Sequence, residues 1–325
     1  MIQEWTDPYD RLLAGAIFGT DRATEVDGMI RDWAQTRGFG HGQIDSVELS
    51  VGAGVTLQLA TEKLFVKVWP GDADSKALSA QLQVQGRLAA NGFPAPRVLT
   101  ELSRLGPGWA IAMAYSRGGV ATDVRVPGVR RMMAAGLSHF LRASESCRDV
   151  PHLPHRMPSV WPRPHNVLFD FEATATGAEW IDDMAHSALA TMRSTTSRIV
   201  VGHLDWSAKN MRMGPDDIAV VYDWDAVFLE HETFVVGAAA AHFPTTWELD
   251  VSGTPDAREV TAFIKEYEEA RGQGFTEAEL EEVAASVTYT RAYTARCEHA
   301  GDPGGAGWNG SSRQSLKDNG AFRFS

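Results

Sequence analysis

Apolar and polar residues alternate along "IDSVELSVGAGVTLQLATEKLFVKVW", residues 44–69. Alternation with a period of two is typical of half-buried β-strands, and Gly52 and Gly54 lie where a turn would reverse the chain. The pattern predicts a β-hairpin with a glycine-bearing turn, followed by a further strand that ends in "LFVKVW". A later apolar run, "GWAIAMAYSRGG", is short and stops at glycines, which predicts another strand.

Helical periodicity surrounds these strands. Residues 1 to about 40 carry Met29, Ile30 and Trp33 at helical spacing. The segment "DSKALSAQLQVQGRLAANG" predicts a helix that begins at Asp74 or Ser75 and stops at Gly92. Further helices are predicted for "GVRRMMAAGLSHFLRAS" and "GAEWIDDMAHSALATMRSTTS".

Capping signals mark two helices near the C-terminus. Thr254 and Pro255 fit an N-cap and a first helical residue, and Thr276 with Glu279 fits a capping box. The glycine-rich tail after them predicts a loosely held segment at its start.

The order of elements predicts an α+β chain in two parts. Residues 1–114 form a β-rich part with a leading helix, and residues 115–325 form a mainly helical part. A chain of 325 residues with 44% apolar content is long for one compact core and too apolar to be disordered.

Charge and cysteine content exclude several function classes. A net charge of −12 argues against nucleic-acid binding and leaves room for a cationic small-molecule substrate, although acidic helix faces are most often simply solvated. Cys147 and Cys297 lack metal-ligand spacing, so neither a disulfide framework nor a zinc site is indicated. With no apolar stretch long enough to span a bilayer, the expected location is the cytoplasm, away from membranes.

The segment "HLDWSAKN" contains the pattern HxDxxxxN, formed by His203, Asp205 and Asn210, and Asp223 follows in "VVYDWD". This layout suits phosphoryl transfer, in which one carboxylate orients the attacking hydroxyl while an amide and a second carboxylate hold Mg²⁺. The intervening "GPDD" is a good turn. We expect two short strands to bring Asn210 and Asp223 together at one end of a hairpin.

Lys67 stands inside the strand-like run "LFVKVW". A charged side chain is expensive to bury unless it meets an anion, and a nucleotide phosphate would serve. The alternative is that Lys67 extends to solvent from an edge strand.

Six features follow one another along the chain: a glycine-bearing hairpin, "VKVW", "LAANGFPAPRVL", "GWAIAMAY", "HLDWSAKN" and "VVYDWD". This order resembles the aminoglycoside phosphotransferase family of small-molecule kinases. The resemblance implies a protein-kinase-like fold of two lobes, with ATP or GTP bound together with Mg²⁺. It assigns Asp205 as catalytic base, Asn210 and Asp223 as metal ligands and Lys67 to the α- and β-phosphates. It also assigns the hinge that receives the nucleobase to Met113, Ala114 and Tyr115. His203 is expected to order the loop rather than to react as an acid or base, and Asp225 either faces the acceptor or is an exposed structural aspartate.

Three positions depart from the family pattern. The helix glutamate that pairs with the strand lysine falls at about Gln81, so either a neutral glutamine bonds Lys67 or the pair is missing. Leu204 and Trp206 lie beside the expected base, where they are predicted to reshape the acceptor pocket.

The leading hypothesis is an ATP-dependent kinase that phosphorylates a hydroxyl group of an amino sugar, an antibiotic or a related polar metabolite. Candidate stacking surfaces for this acceptor are the tryptophans Trp161, Trp180, Trp247 and Trp308. The missing glutamate keeps open a nucleotide-binding regulatory protein, a pseudokinase of the same fold. A third possibility makes His203, Asp205, Asp223 and His231 the ligands of a metal-dependent hydrolase. The acceptor, its reacting hydroxyl and the oligomeric state do not follow from the sequence.

Overall fold

The computed structural model describes residues 2–40, 42–116, 118–155, 160–193, 197–250, 253–305 and 310–324. These residues form two compact units. The first contains the described residues up to Ser116 together with His165–Leu168, and the second contains the rest. None of the described helices is long and apolar enough to cross a membrane.

The first unit is built on an antiparallel sheet. Its helices are α1 (Pro8–Phe18), α2 (Ala23–Thr36) and α3 (Ser75–Ala90), and its strands are β1 (Gln43–Leu49), β2 (Ala53–Gln58), β3 (Lys63–Trp69), β4 (Ser103–Leu105) and β5 (Gly108–Ala114). The strand order is β1-β2-β3-β5-β4. The predicted hairpin, the following strand and the helix that begins after Asp74 are confirmed, whereas the short β4 was not predicted.

Each face of this sheet packs against helices. Leu64, Val66 and Val68 of β3 lie in a core with apolar residues of α1 and α2. On the opposite face, Leu78 and Leu82 of α3 pack with residues of β3 and β5. Because successive side chains of a strand point to opposite faces, β3 separates these two cores.

The glycines of the β1–β2 hairpin are required by close packing. A Cβ on Gly52 would lie 2.4 Å from the carbonyl oxygen of Val68, and one on Gly54 would lie 2.8 Å from the ring of Phe65. The hairpin therefore lies directly against β3, where no larger side chain fits.

The second unit is mainly helical. Its helices are α4 (Pro127–Ala143), α5 (Glu179–Met192), α6 (Glu232–His242), α7 (Ala257–Arg271), α8 (Glu277–Gly301) and α9 (Ser312–Asn319), and its strands are β6 (Ile199–His203), β7 (Met211–Met213), β8 (Ile218–Val221) and β9 (Val227–His231). β6 pairs with β9, and β7 pairs with β8, both antiparallel.

Close helix packing fixes the position of β6. The side chain of a Gly202 variant would begin 2.3 Å from Val235 of α6, so α6 lies directly on the strand. Ser144, after α4, donates a hydrogen bond to the carbonyl of Val201 at 3.1 Å. The end of β6 is thereby held from two sides.

Two predictions about the C-terminal helices have different outcomes. The capping box of Thr276 and Glu279 is confirmed at the start of α8. The start of α7 was predicted wrongly, because the N-cap is Asp256, whose carboxylate accepts from the amide of Glu259, and not Thr254. A capping box with two hydrogen bonds outweighs the preference of Pro255 for a first helical turn.

Candidate active site

The predicted HxDxxxxN segment leaves β6 and turns back into β7. His203 ends β6, Asp205 lies in the loop, and Asn210 ends a short 3₁₀ turn before β7. The loop is tied to the end of α6, because the amide of Ala208 donates to the carbonyl of Phe243 at 2.9 Å and that of Lys209 to Thr245 at 2.8 Å. Backbone hydrogen bonds therefore hold the loop against the segment that ends α6.

The predicted hairpin between Asn210 and Asp223 is confirmed. β7 pairs with β8 through Met211 and Val221, and the turn closes with a 2.7 Å hydrogen bond from Gly214 to Asp217. The amide of Tyr222 donates to the carbonyl of Asn210 at 2.8 Å. Asp223 is the next residue, so Asn210 and Asp223 lie at the same end of the hairpin.

Asp223 has an unusual backbone conformation. Its φ of 61° and ψ of 50° place it in the left-handed region, which aspartate tolerates better than most residues. Residues held in such conformations cluster at functional sites, because the surrounding structure must impose them. The carbonyl of Asp223 accepts from the amide of Ala226 at 3.0 Å, which helps to hold it.

His203 connects the loop to the Asp223 segment. The amide of Asp205 lies 3.2 Å from Nδ1 of His203, and Nε2 lies 2.9 Å from the carbonyl oxygen of Tyr222. Since Nδ1 accepts, Nε2 carries the hydrogen and donates, which defines the neutral ring. His203 is fully buried, as expected for a residue that orders the loop.

The carboxylate of Asp205 lies between two basic side chains. Nζ of Lys209 is 2.9 Å from one oxygen, and Nε2 of His242 is 3.5 Å from the other. The hydroxyl of Ser207 donates to Asp205 at 3.0 Å. Burial favours the neutral acid, but the charge of Lys209 and the proximity of His242 outweigh it, so the pKa of Asp205 lies well below its usual range.

Asn210 provides a suitable ligand for a hard cation. Its side-chain nitrogen donates to the carbonyl of Asp205 at 2.9 Å, which leaves the side-chain oxygen as the atom available to a metal. Mg²⁺ prefers oxygen ligands, and the neighbouring Asp223 carries a carboxylate. The residues present therefore fit a magnesium ion.

The hydrolase hypothesis is not supported by the histidine positions. His203 pairs with Val227 at one end of β9, and His231 pairs with Ile199 at the other. Four residues along a strand separate the two rings by roughly 13 Å. His231 is also bonded through Nδ1 to the carbonyl of Ser197 at 2.8 Å. One metal ion cannot bind both histidines.

Lys67 lies in the central strand of the five-stranded sheet, so the edge-strand alternative is wrong. It is half-buried opposite Gly54, and Nζ lies 5.5 Å from the ring centroid of Trp69. By strand alternation Lys67 points to the face on which α3 packs. Gln81 is buried in α3, one helical turn from Leu78 on that same side.

Of the predicted hinge residues, Met113 and Ala114 end β5 and Tyr115 follows it. Met113 pairs with Phe65, and its sulfur lies 3.2 Å from the side-chain nitrogen of the buried Gln85. The amide of Ala114 donates to the carbonyl of Arg97 at 2.8 Å, so this N–H is already engaged. The ring of Tyr115 lies 5.9 Å from Nζ of Lys63. The other backbone groups of this segment remain for the predicted nucleobase contacts.

Trp206 does not line an acceptor pocket, contrary to the prediction. It is fully buried, its indole N–H donates to the carbonyl of Met133 at 3.0 Å, and its ring contacts Phe140 and His203. Trp206 instead anchors the loop to α4. Leu204 is also buried.

Sequence reasoning missed Lys209 and His242 as neighbours of Asp205. Lys209 lies inside the motif, four residues after Asp205, so its position was a usable signal. His242 reaches the site only through the fold of α6.

The predicted stacking tryptophans have different surroundings. The ring centroid of Trp247, which is 80% exposed, lies 5.6 Å from Nζ of Lys209. Trp161 packs against Tyr289 instead, and Trp308 lies outside the described residues.

The sequence matches a known protein family over most of its length. Residues 46–282 match the model of the phosphotransferase enzyme family. No curated protein matches the chain by sequence.

Solved structures of small-molecule kinases share the fold. An amicoumacin kinase in complex with AMP-PNP, Ca²⁺ and Ami is 10% identical, with a TM-score of 0.69 over 93% of this chain and 98% of that one. The microcompartment-associated aminopropanol kinase is 14% identical, with a TM-score of 0.61 over 90% and 94%. An ethanolamine kinase of Plasmodium vivax is 12% identical, with a TM-score of 0.55 over 85% and 81%. The predicted α+β, protein-kinase-like fold is confirmed.

Proposed function

Since this chain belongs to the phosphotransferase enzyme family and is thus a small-molecule kinase, we propose that it transfers the γ-phosphoryl group of ATP or GTP to a hydroxyl of a small, amine-bearing acceptor. The single observation that carries the proposal is the hydrogen-bond network that holds Asp205, Asn210 and Asp223 together. His203 bonds the amide of Asp205 and the carbonyl of Tyr222, next to Asp223, and Asn210 bonds the carbonyl of Asp205. These three side-chain types, held together, match the requirements of phosphoryl transfer.

Asp205 orients the acceptor hydroxyl. Its depressed pKa keeps it ionised at neutral pH and makes it a weak base, so it holds the hydroxyl in line and takes the proton late in the reaction. This behaviour suits a loose transition state, in which little negative charge is needed on the attacking oxygen before the phosphoryl group moves.

Asn210 and Asp223 would hold Mg²⁺ through the amide oxygen and the carboxylate. When bound, the ion neutralises negative charge on the nucleotide phosphates. In the first unit, Lys67 would bind the α- and β-phosphates, and backbone groups near Met113 and Tyr115 would receive the base.

Lys209 supplies positive charge beside the reacting oxygen. Its ammonium group is 2.9 Å from Asp205, and the side chain is only 24% exposed, so its charge is screened less than that of a surface lysine. A cation at this position lowers the energy of the charge that develops on the transferred phosphoryl group.

The proposed acceptor carries both a hydroxyl and an amine, as in an aminoglycoside, an amino sugar or a related antibiotic. Ethanolamine and aminopropanol, named for two of the structural neighbours, contain this combination. The acidic chain, with a net charge of −12, favours a cationic substrate over an anionic one. The exposed ring of Trp247 offers an apolar surface next to Lys209.

The test is phosphorylation of a panel of amino alcohols and amino sugars, followed by ADP release and by mass spectrometry of the acceptor. We expect Asp205→Asn to lower kcat by at least about 100-fold, the range expected for loss of a general base. Asp216→Asn, an exposed change in the β7–β8 turn, is the matched control and should retain wild-type turnover. Equal turnover of Asp205→Asn and wild type would refute the assignment.

A further inference from the structure

A cavity of about 250 Å³ lies in the second unit, away from the loop that carries Asp205. Its lining residues are Ser138, Arg142, Arg198, Tyr267, Arg271 and Gln273. Arg198 directly precedes β6, while the Asp205 loop follows the other end of this strand. The five residues of β6 separate the two places by roughly 16 Å.

One carboxylate lies among the three arginines of this cavity. Glu232 begins α6 and is only 2% exposed. Arg198 contacts both of its oxygens, at 2.5 and 3.2 Å, and Nε of Arg271 lies 3.4 Å from it. The hydroxyl of Tyr267 also donates to it. Burial opposes ionisation, but these partners outweigh it and hold the pKa of Glu232 below its usual value.

The charges around the cavity do not balance. Glu232 contributes one negative charge, and Arg142, Arg198 and Arg271 contribute three positive ones. Glu145, whose charge also acts on Arg198, is paired with Arg148 at 3.0 Å. Arg142 is bonded to neutral groups, the hydroxyl of Ser138 at 2.8 Å and the carbonyl of Ala270 at 3.1 Å. The cavity therefore has a local excess of about two positive charges in a chain whose net charge is −12.

Arg271 has a buried donor without an acceptor. Its Nη1 atom is inaccessible to solvent and makes no hydrogen bond within the described part of the chain. The guanidinium group is held in place, since it lies 4.6 Å from the ring centroid of Phe275, which stacks on Tyr267 at 5.9 Å. Nη1 is closed off from solvent, so a ligand in the cavity would bond to another donor of this fixed guanidinium group, which lines the cavity.

We propose that this arginine cavity binds a phosphate group, either inorganic phosphate or the phosphate of a small monoester. A phosphate dianion matches the charge excess, and its oxygens accept the planar donors that guanidinium groups present. The ligand bonds to Arg142 and Arg271 while Glu232 stays paired with Arg198. The site is independent of the phosphoryl-transfer site, because it shares no residue with it.

Calorimetric titration tests the proposal with purified protein at constant ionic strength, without nucleotide or Mg²⁺. One arm uses inorganic phosphate, a second uses glycerol 3-phosphate, and chloride is the blank. We expect saturable binding that Arg142→Gln weakens at least about ten-fold, as expected for loss of a charge-assisted hydrogen bond. Tighter binding of the monoester would identify a phosphorylated metabolite as the source, and equal binding would identify free phosphate.

Two further variants keep the result interpretable. Arg271→Lys retains a positive charge beside Glu232 but removes the planar guanidinium donors, so it should also weaken binding, with a circular dichroism spectrum like that of wild type. Asp223→Asn, in the transfer site, should bind phosphate as wild type does. No binding in either arm, or unchanged binding in both arginine variants, would overturn the proposal.

Discussion

His203 joins two segments of the candidate site because both of its ring nitrogens are engaged within the buried interior. The sequence pattern identified this residue but not its geometry. A histidine two residues before an aspartate is compatible with catalysis, metal binding or packing. Only the structure shows that one nitrogen accepts from the Asp205 amide and the other donates to Tyr222.

We expect His203→Ala to lower the free energy of unfolding by about 2 to 4 kcal/mol. The change leaves the amide of Asp205 and the carbonyl of Tyr222 buried without partners, and each loss costs about 1 to 3 kcal/mol. Urea unfolding followed by circular dichroism measures the effect. His186→Ala on the exposed face of α5 is the control, expected within about 0.5 kcal/mol of wild type. Equal stability of the two variants would contradict the structural role of His203.

Lys209 is expected to control the pH range in which Asp205 works. A depressed pKa means that Asp205 stays ionised as pH falls below its usual value of 3.8, and its activity is lost only as pH falls through the depressed pKa. Lys209→Met removes the nearest positive charge, so the acidic limb of kcat/KM should move to higher pH. Lys209→Arg keeps the charge and should leave the limb in place. An unchanged limb in Lys209→Met would show that the ammonium group does not act on Asp205.

At the scale of elements, α6 carries much of the order around the site. It lies against β6 at Gly202, its last turn supplies His242, and the residues after it hold the backbone of the Asp205 loop. It also lies close to α8, since a Cβ on Gly237 would be 2.7 Å from the carbonyl oxygen of Val283 and 2.5 Å from Cβ of Ser286.

We expect Gly237→Ala to destabilise the protein by about 1 to 3 kcal/mol, because α6 must move away from the α8 backbone. Gly28→Ala is the matched control within a helix. No atom lies within 4 Å of its Cβ position, so alanine should stabilise α2 by about 0.5 to 1 kcal/mol through the unfolded state. Thermal unfolding of the two variants measures both signs. A destabilised Gly28→Ala or an unaffected Gly237→Ala would contradict this packing.

Local signals predicted most elements well. The period-two pattern located β1, β2 and β3, and the capping box located the start of α8. The short β4 was not predicted, because three residues are too few to show a hydrophobic period. The start of α7 was misplaced because Thr254 and Pro255 fit a capping pattern, whereas the side-chain hydrogen bonds of the actual cap are made by Asp256 and Glu259.

At the scale of the whole molecule, the change from strands to helices along the chain predicted the α+β class. The HxDxxxxN motif and Asp223 could be found because they are close in sequence and joined by a recognisable turn. The arginine cavity could not, because its residues come from α4, the start of β6 and the end of α7. Contacts between such distant segments arise from packing and leave no local pattern.

The most direct test of the proposed site is Mg²⁺-dependent nucleotide binding, measured as the thermal shift of wild type, Asp223→Asn and the control Asp216→Asn with ATP and GTP. A ligand that binds only the folded state raises the unfolding midpoint. We predict a shift that requires Mg²⁺, is retained in Asp216→Asn and is lost in Asp223→Asn. A shift of equal size in Asp223→Asn, or no shift with either nucleotide, would contradict the assignment of the hairpin end as the site of metal-bound nucleotide.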